Sequence, residues 1–304
     1  MKDRLFGMIA HLPTVHLPDR GIDEATMRAN VRRYLEAGIT AMFTMGSSGE
    51  FFNLSREEYR SAVRLLVEEV GPRTLKIAGC GSPCMKELLD TVGWLNDSGI
   101  DAAMVILPYF APLSGRERTE CIRRIAAECP GIGIIHYNTD YAPSVRCTAD
   151  DYAALADVSN LWGTKQGGMT TEFWNELQAQ APSLRHFTLD DWLVSAMKTG
   201  GYGSFSLLTS LSPGFALRWY EACISKEWAT AEAMSDEFQR FMAQLYMPLG
   251  ARGYNDIAVD KALIDCFGFL EAGPPRPPIM RVSSPDREWA AACLEKHRFF
   301  RNTA

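Results

Sequence analysis

The sequence predicts an α/β protein built as a (β/α)8 barrel with a carboxy-terminal helical extension. Three observations lead there. Short apolar, β-branched runs alternate with longer stretches of helical periodicity. Eight such runs fall within about 210 residues, and eight is the number of parallel strands with helical crossovers that closes a barrel. Beyond about residue 224 the strand signal stops and only helical patterns remain.

The runs occupy 5–10, 40–45, 74–78, 102–107, 133–136, 161–165, 184–189 and 202–206. Between the second and third, Ser55-Arg56-Glu57-Glu58 starts a helix, with Ser55 as cap and Glu58 at the capping-box position. Val63, Leu65, Leu66 and Val70 continue it as an apolar face. Gly99 stops the following helical stretch before the next strand. A doubly wound open sheet is the structural alternative. It would carry a glycine-rich turn after the first strand, where this chain has His11-Leu12-Pro13-Thr14-Val15. Residues 228–249 and 255–267 read as long helices and 285–300 as a last one. Gly273-Pro274-Pro275-Arg276-Pro277-Pro278 is a rigid connector. The expected division is a barrel over 1–224 and a helical domain over 225–304.

Composition narrows the function classes. Net charge is −6 and no run of lysine and arginine stands out, so nucleic acid is not an expected partner. The apolar stretch before His11 is too short for a signal-peptide core. No stretch approaches the roughly 18–20 apolar residues of a membrane span. A cytoplasmic protein with no membrane association is expected. The eight cysteines lack zinc spacing and read as reduced thiols in a cytosolic protein.

Lys165 ends the sixth run and is followed by Gln166-Gly167-Gly168. A lysine at the carboxyl end of a buried strand is desolvated, which favours the neutral amine, a nucleophile able to form a Schiff base with a ketone. A lysine reaching solvent is the plainer alternative. Tyr137 ends the fifth run, one strand-helix repeat earlier, and its phenol can pass protons. A packed tyrosine is the alternative there. Lys76 also interrupts an apolar run, but early in its strand, and reads as structural.

After the second run, Gly46-Ser47-Ser48-Gly49-Glu50 allows a tight turn in which two hydroxyls and adjacent N–H groups face one point. That suits a carboxylate better than a metal; a bare turn before a helix is the alternative. Gly200-Gly201-Tyr202-Gly203-Ser204-Phe205-Ser206 reads as a helix-to-strand turn rather than a phosphate grip. Asp190 and Asp191, after the seventh run, read as helix capping or substrate contact, there being no third acidic ligand for a metal.

Taken in order, Gly46-Ser47-Ser48-Gly49-Glu50, Leu107-Pro108-Tyr109-Phe110, Tyr137-Asn138, Gly163-Thr164-Lys165 and Gly203-Ser204-Phe205-Ser206 resemble the dihydrodipicolinate synthase / N-acetylneuraminate lyase family over nearly the whole chain. The resemblance implies a (β/α)8 barrel, usually a homotetramer, with a homodimer as the smaller assembly. It implies class I chemistry on pyruvate or another 2-keto acid, with an aldehyde as second substrate. Lys165 would form the imine, Tyr137 would shuttle protons, and Ser47 and Ser48 would hold the carboxylate and help relay protons. Gly46, Gly49, Ser206, Asp191 and Leu189 would line the substrate site. No metal or organic cofactor is implied.

Three departures stand out. Where the synthases place an arginine five residues after the strand-end tyrosine, this chain has Ala142, with Arg146 nearby but outside the motif. Where they carry a second tyrosine after Pro108, it has Phe110. Where sialic acid lyases keep a glycine after the seventh strand, it has Leu189. Lysine-pathway synthesis is therefore not the expected activity. An acceptor less polar or shorter than a sugar acid is, with Phe51, Phe52 and Trp162 as further apolar surface. Alternatives are a 2-keto-3-deoxy acid dehydratase using the same imine, or a catalytically impaired keto-acid-binding homologue.

Overall fold

All eight apolar runs form strands. The computed structural model describes residues 1–17 and 21–300, with side chains described through residue 297. The strands are β1 (Gly7–His11), β2 (Ala41–Thr44), β3 (Leu75–Gly81), β4 (Ala102–Ile106), β5 (Gly133–Asn138), β6 (Leu161–Gln166), β7 (Arg185–Phe187) and β8 (Gly203–Ser206). They belong to one sheet in the order β7-β6-β5-β4-β3-β2-β1-β8. A parallel bridge between Thr188 and Ser204 joins the two ends of that order. Helices alternate with the strands, and the fold is a (β/α)8 barrel with carboxy-terminal helices. Strands buried on both faces explain why the sequence shows continuous apolar runs rather than alternation.

Helix starts follow the sequence. Ser55 and Glu58 form a reciprocal capping box at Arg56–Glu69, and Ser114 with Glu117 does the same at Gly115–Glu128. Gly99 sits at φ 90°, the left-handed stop expected of it.

The carboxy-terminal helices depart from expectation twice. Residues 228–249 are not one uniform helix. The α-helix Trp228–Phe241 passes into a π-helical turn, Met242–Tyr246, before Met247–Ala251 resumes. Pro248 gives the reason: it has no N–H for the Gln244 carbonyl and its ring crowds that group, so the helix widens. The last helix is α only over Ser284–Leu294 and continues in 3-10 form through Phe300, bent at His297.

Packing divides the chain into two units. The first comprises Met1–Gly7 with Leu75–Phe205, and the second Met8–Thr74 with everything from Ser206 onward. In the first, register matters most. Tyr137 pairs with Lys165 across β5 and β6, and Lys165 with Phe187 across β6 and β7. The residues just before them, His136, Thr164 and His186, form the adjacent row and point to the other face. In the second unit, Phe215, Trp219, Phe238, Phe241 and Phe267 make a chain of tilted and edge contacts that forms the core of the late helices. Among the described residues no helix is long and apolar enough to cross a membrane.

Candidate active site

Lys165 is the fifth of six residues in β6 and only 6% exposed. Its Nζ lies 4.0 Å from the ring centre of Tyr137 and 5.2 Å from that of Phe205. Tyr137 is itself buried, and Phe205 stands edge-on to Phe187 with ring centres 5.6 Å apart. The amine is therefore walled by aromatic faces. Gly163, two residues before it, is needed for this: a Cβ there would lie 2.2 Å from the Arg185 carbonyl oxygen on β7. The close approach of β6 to β7 positions the lysine.

The opposite face of the same strands holds a buried polar chain. The Asn138 amide donates to Gln166 Oε1 at 2.9 Å and to the Cys147 carbonyl at 3.0 Å. Gln166 donates to Thr164 Oγ1 at 2.9 Å, whose hydroxyl faces His186 Nδ1 at 2.8 Å. His186 Nε2 lies 2.9 Å from the Ala181 carbonyl, which can only accept, so Nε2 carries the proton and Nδ1 accepts from Thr164. The Tyr152 hydroxyl lies 2.7 Å from His136 Nδ1. Burial pushes His136 down to about 3 and His186 to about 4, so both stay neutral at ordinary pH. Fully paired, this chain locks the register that brings Tyr137 to Lys165.

Of the residues after β7, Asp190 is buried and accepts from Ser204 at 2.8 Å, whereas Asp191 is exposed. Leu189 is 36% exposed. Trp162 is the extra residue where the β5–β6 register shifts, and it covers Gly133, whose Cβ would meet the indole at 2.2 Å. Ala142 is buried. Arg146 is committed to Asp140 and donates to the Gly167 carbonyl at 2.8 Å. Phe110 is 89% exposed and Tyr141 52%.

In the second unit the turn after β2 is tightly built. Met45 and Glu50 flank it at φ 58° and 52°, left-handed values that non-glycine residues seldom take. A Cβ on Gly49 would sit 2.9 Å from the backbone nitrogens of Met45 and Gly46, so no side chain fits there. The Phe43 ring occupies the space a Cβ on Gly46 would need. The Thr14 hydroxyl donates to the Gly49 carbonyl at 2.7 Å. Among the described residues none accepts from the N–H groups of Ser47, Ser48 and Gly49, a row of amides of the kind that can bind an anion. Ser47 is half-buried and Ser48 buried. Ser206, at the end of β8, makes its hydrogen bonds locally, with Thr209.

Glu50 anchors this turn. It is fully buried, 2.6 Å from Lys261 Nζ and 3.2 Å from His16 Nε2, and accepts the Arg276 N–H at 3.0 Å. Burial alone would raise its pKa. The His16 hydrogen bond and the Lys261 ammonium outweigh that and hold the carboxyl down at about 2. Neither Lys261 nor its neighbour Asp260 was singled out in the sequence. The available signal was an Asp-Lys pair inside the apolar helical stretch Ile257-Ala258-Val259-Asp260-Lys261-Ala262-Leu263-Ile264.

The dihydrodipicolinate synthetase family profile matches residues 4–297. The chain belongs to this family. Its members are lyases and synthases on a class I aldolase fold. This dihydrodipicolinate synthetase family chain is 28% identical to the 4-hydroxy-tetrahydrodipicolinate synthase of Methanopyrus kandleri, with 95% of each chain covered. Among solved structures it is similar to YagE of Escherichia coli K12, a prophage protein of the family crystallised with pyruvate. There the TM-score is 0.88 at 20% identity, covering 97% of this chain and 99% of that one. It is also similar to the N-acetylneuraminate lyase of Fusobacterium nucleatum, with a TM-score of 0.85 at 18% identity, covering 97% and 99%. At those identities the structural likeness speaks for the fold.

Proposed function

We propose that this chain is a Schiff-base-dependent lyase or aldolase that condenses Lys165 with pyruvate or a related 2-keto acid. The observation that carries the proposal is the pairing of Tyr137 with Lys165, with the amine 4.0 Å from the phenol ring in an aromatic enclosure. The Lys165 amine attacks the keto carbon. Tyr137 passes a proton to the carbinolamine oxygen, which leaves as water. The protonated imine then draws electrons from C3, so an enamine forms when a C–C bond breaks, or attacks an aldehyde to make one. The imine itself is the electron sink, and no cofactor enters the scheme.

The Gly46–Gly49 turn, taken by itself, presents N–H groups and the Ser47 hydroxyl, a donor set suited to a carboxylate. The acceptor we infer is an aldehyde without a second carboxylate and less polar than a sugar acid. Ala142 offers no guanidinium, Arg146 is held by Asp140, and Leu189 adds apolar surface. The dehydratase reading uses the same imine and is separated by its products, since only an aldolase releases pyruvate. We also propose a homo-oligomer, because Phe110 and Tyr141 leave an aromatic surface uncovered; sedimentation velocity checks it. The decisive experiment is borohydride reduction in the presence of pyruvate and then peptide mass mapping. A mass increment on Lys165 is expected, and an unmodified Lys165 overturns the proposal.

A further inference from the structure

The second unit holds a cleft that the imine chemistry does not use. It encloses about 330 Å³, part of it open to solvent, at the small end of the range for ligand sites. One side is a face of the helix Asp256–Phe267, with Ala258 and Ala262 one turn apart and Asp265 a further turn along. Another is the connector after that helix, at Pro274 and Pro275. Arg281, and Arg287 near the start of the helix Ser284–Leu294, add two cations to the lining.

Nearby guanidinium groups are paired, Arg252 with Asp286 and Arg276 with Glu58. Among the described residues, neither the Arg281 nor the Arg287 guanidinium has a hydrogen-bond or ion-pair partner. Asp286, beside Arg287 in sequence, is taken by Arg252 and by the Tyr254 hydroxyl. Asp265 Oδ1 accepts the Ala272 and Gly273 N–H groups at 2.7 and 3.1 Å, which commits it to the connector. Two cations and one engaged carboxylate leave the lining with a net positive charge. Guanidinium forks match carboxylate oxygens, and the alanines and prolines offer apolar surface to the body of the same ligand.

We propose that this cleft binds a small aliphatic monocarboxylate, and that the connector passes the binding on to the Glu50 turn. A dianion would set a second negative charge against Asp265, and an uncharged ligand would leave both guanidinium groups unanswered. The connector residues just beyond the cleft hold the turn. The Arg276 N–H donates to Glu50 Oε2 at 3.0 Å, Arg276 Nη1 donates to the Asn53 carbonyl at 2.9 Å, and the Asn53 amide donates to the Pro277 carbonyl at 3.1 Å. Proline rings fix φ at Pro274 and Pro275, so the stretch between cleft and turn is stiff. A ligand that braces the prolines therefore braces the partners of Glu50.

The test is calorimetric titration with pentanoate, which has no keto group and forms no imine. Pentan-1-ol and propyl phosphate are the neutral and dianionic comparisons. Pentanoate is expected to saturate at millimolar concentration, with each comparison at least about tenfold weaker. Arg281→Met and Arg287→Met keep an aliphatic stem without the charge. Each should weaken pentanoate about tenfold, with melting temperatures verifying that these exposed substitutions leave the fold intact. In hydrogen exchange, bound pentanoate should slow residues 272–287 and 46–53 about fivefold and leave 133–187 unchanged. Absence of saturation overturns the inference, as does pentanoate binding that survives both substitutions or propyl phosphate binding equally well. Protection confined to 272–287 overturns the passage to the Glu50 turn.

Discussion

Two buried lysines, one in each unit, are held in different ways. Lys165 lies against the rings of Tyr137 and Phe205, at the end of a strand whose other face is a neutral polar chain. Lys261 is fully buried in a helix, 2.6 Å from the Glu50 carboxylate and 2.7 Å from the Thr14 carbonyl. An ammonium closed on a carboxylate is a poor nucleophile, because its lone pair is tied up in N–H bonds that the anion stabilises. The Lys165 nitrogen instead lies beside ring faces. Burial alone therefore does not distinguish the two lysines; their neighbours do. Lys76 makes the same point, since it is buried too and sits 3.2 Å from Asp101.

The largest expected effect breaks the comparison at the reactive end. Lys165→Ala should abolish borohydride trapping and lower turnover at least about a thousandfold while shifting the melting temperature little. A variant that keeps its activity would mean that another amine carries the chemistry. At the structural end, Lys261→Met leaves the Glu50 carboxylate buried without its partner and should cost about 3–5 kcal/mol in urea denaturation. Lys261→Met combined with Glu50→Gln should recover a large part, giving a clear coupling energy.

Acidification sharpens the contrast by separating the two units in pH. His136 and His186 stay neutral in the first unit, held at about 3 and about 4, while an unfolded imidazole titrates near 6.5. Below about pH 6.5 the unfolded chain therefore binds more protons, and stability falls as pH falls, by at most about 1.4 kcal/mol per pH unit per histidine. Glu50 has a depressed pKa, so its contribution is fully present above about pH 4.3 and is lost as pH falls toward about 2. Hydrogen exchange resolved by segment should show β5–β7 loosening first and the Glu50 turn later; the reverse order would contradict these assignments. The smallest effect is Gly49→Ala. Its Cβ meets backbone at 2.9 Å, and the strain should cost about 1–3 kcal/mol, read as a lower melting temperature, with weaker keto-acid binding as the turn shifts.

Much of the fold was legible in local pattern. The eight strands, the Ser55–Glu58 capping box and the Gly99 stop all depend on residues within a few positions of one another. Pairing Tyr137 with Lys165 was also within reach, because one strand-helix repeat separates neighbouring strands and each residue sits at its strand's end. The π-helical turn at Met242–Tyr246 was missed, although Pro248 signalled an interruption, because the apolar periodicity runs on through it. The register shift at Trp162 also left no mark in the apolar run that contains it.

The sequence by itself determined the alternation of strands and helices, the family, and the strand-end places of Lys165 and Tyr137, since these depend on short-range periodicity and motif order. Only the tertiary structure decided which carboxylate Lys261 meets, where the Ser48 proton goes, and that Arg146 is already engaged. Those outcomes depend on partners such as Asp260, 212 positions from Ser48, and Glu50, 211 from Lys261. Hydrogen-bond and ion-pair geometry over such separations is set by chain packing and leaves no local trace in composition or spacing.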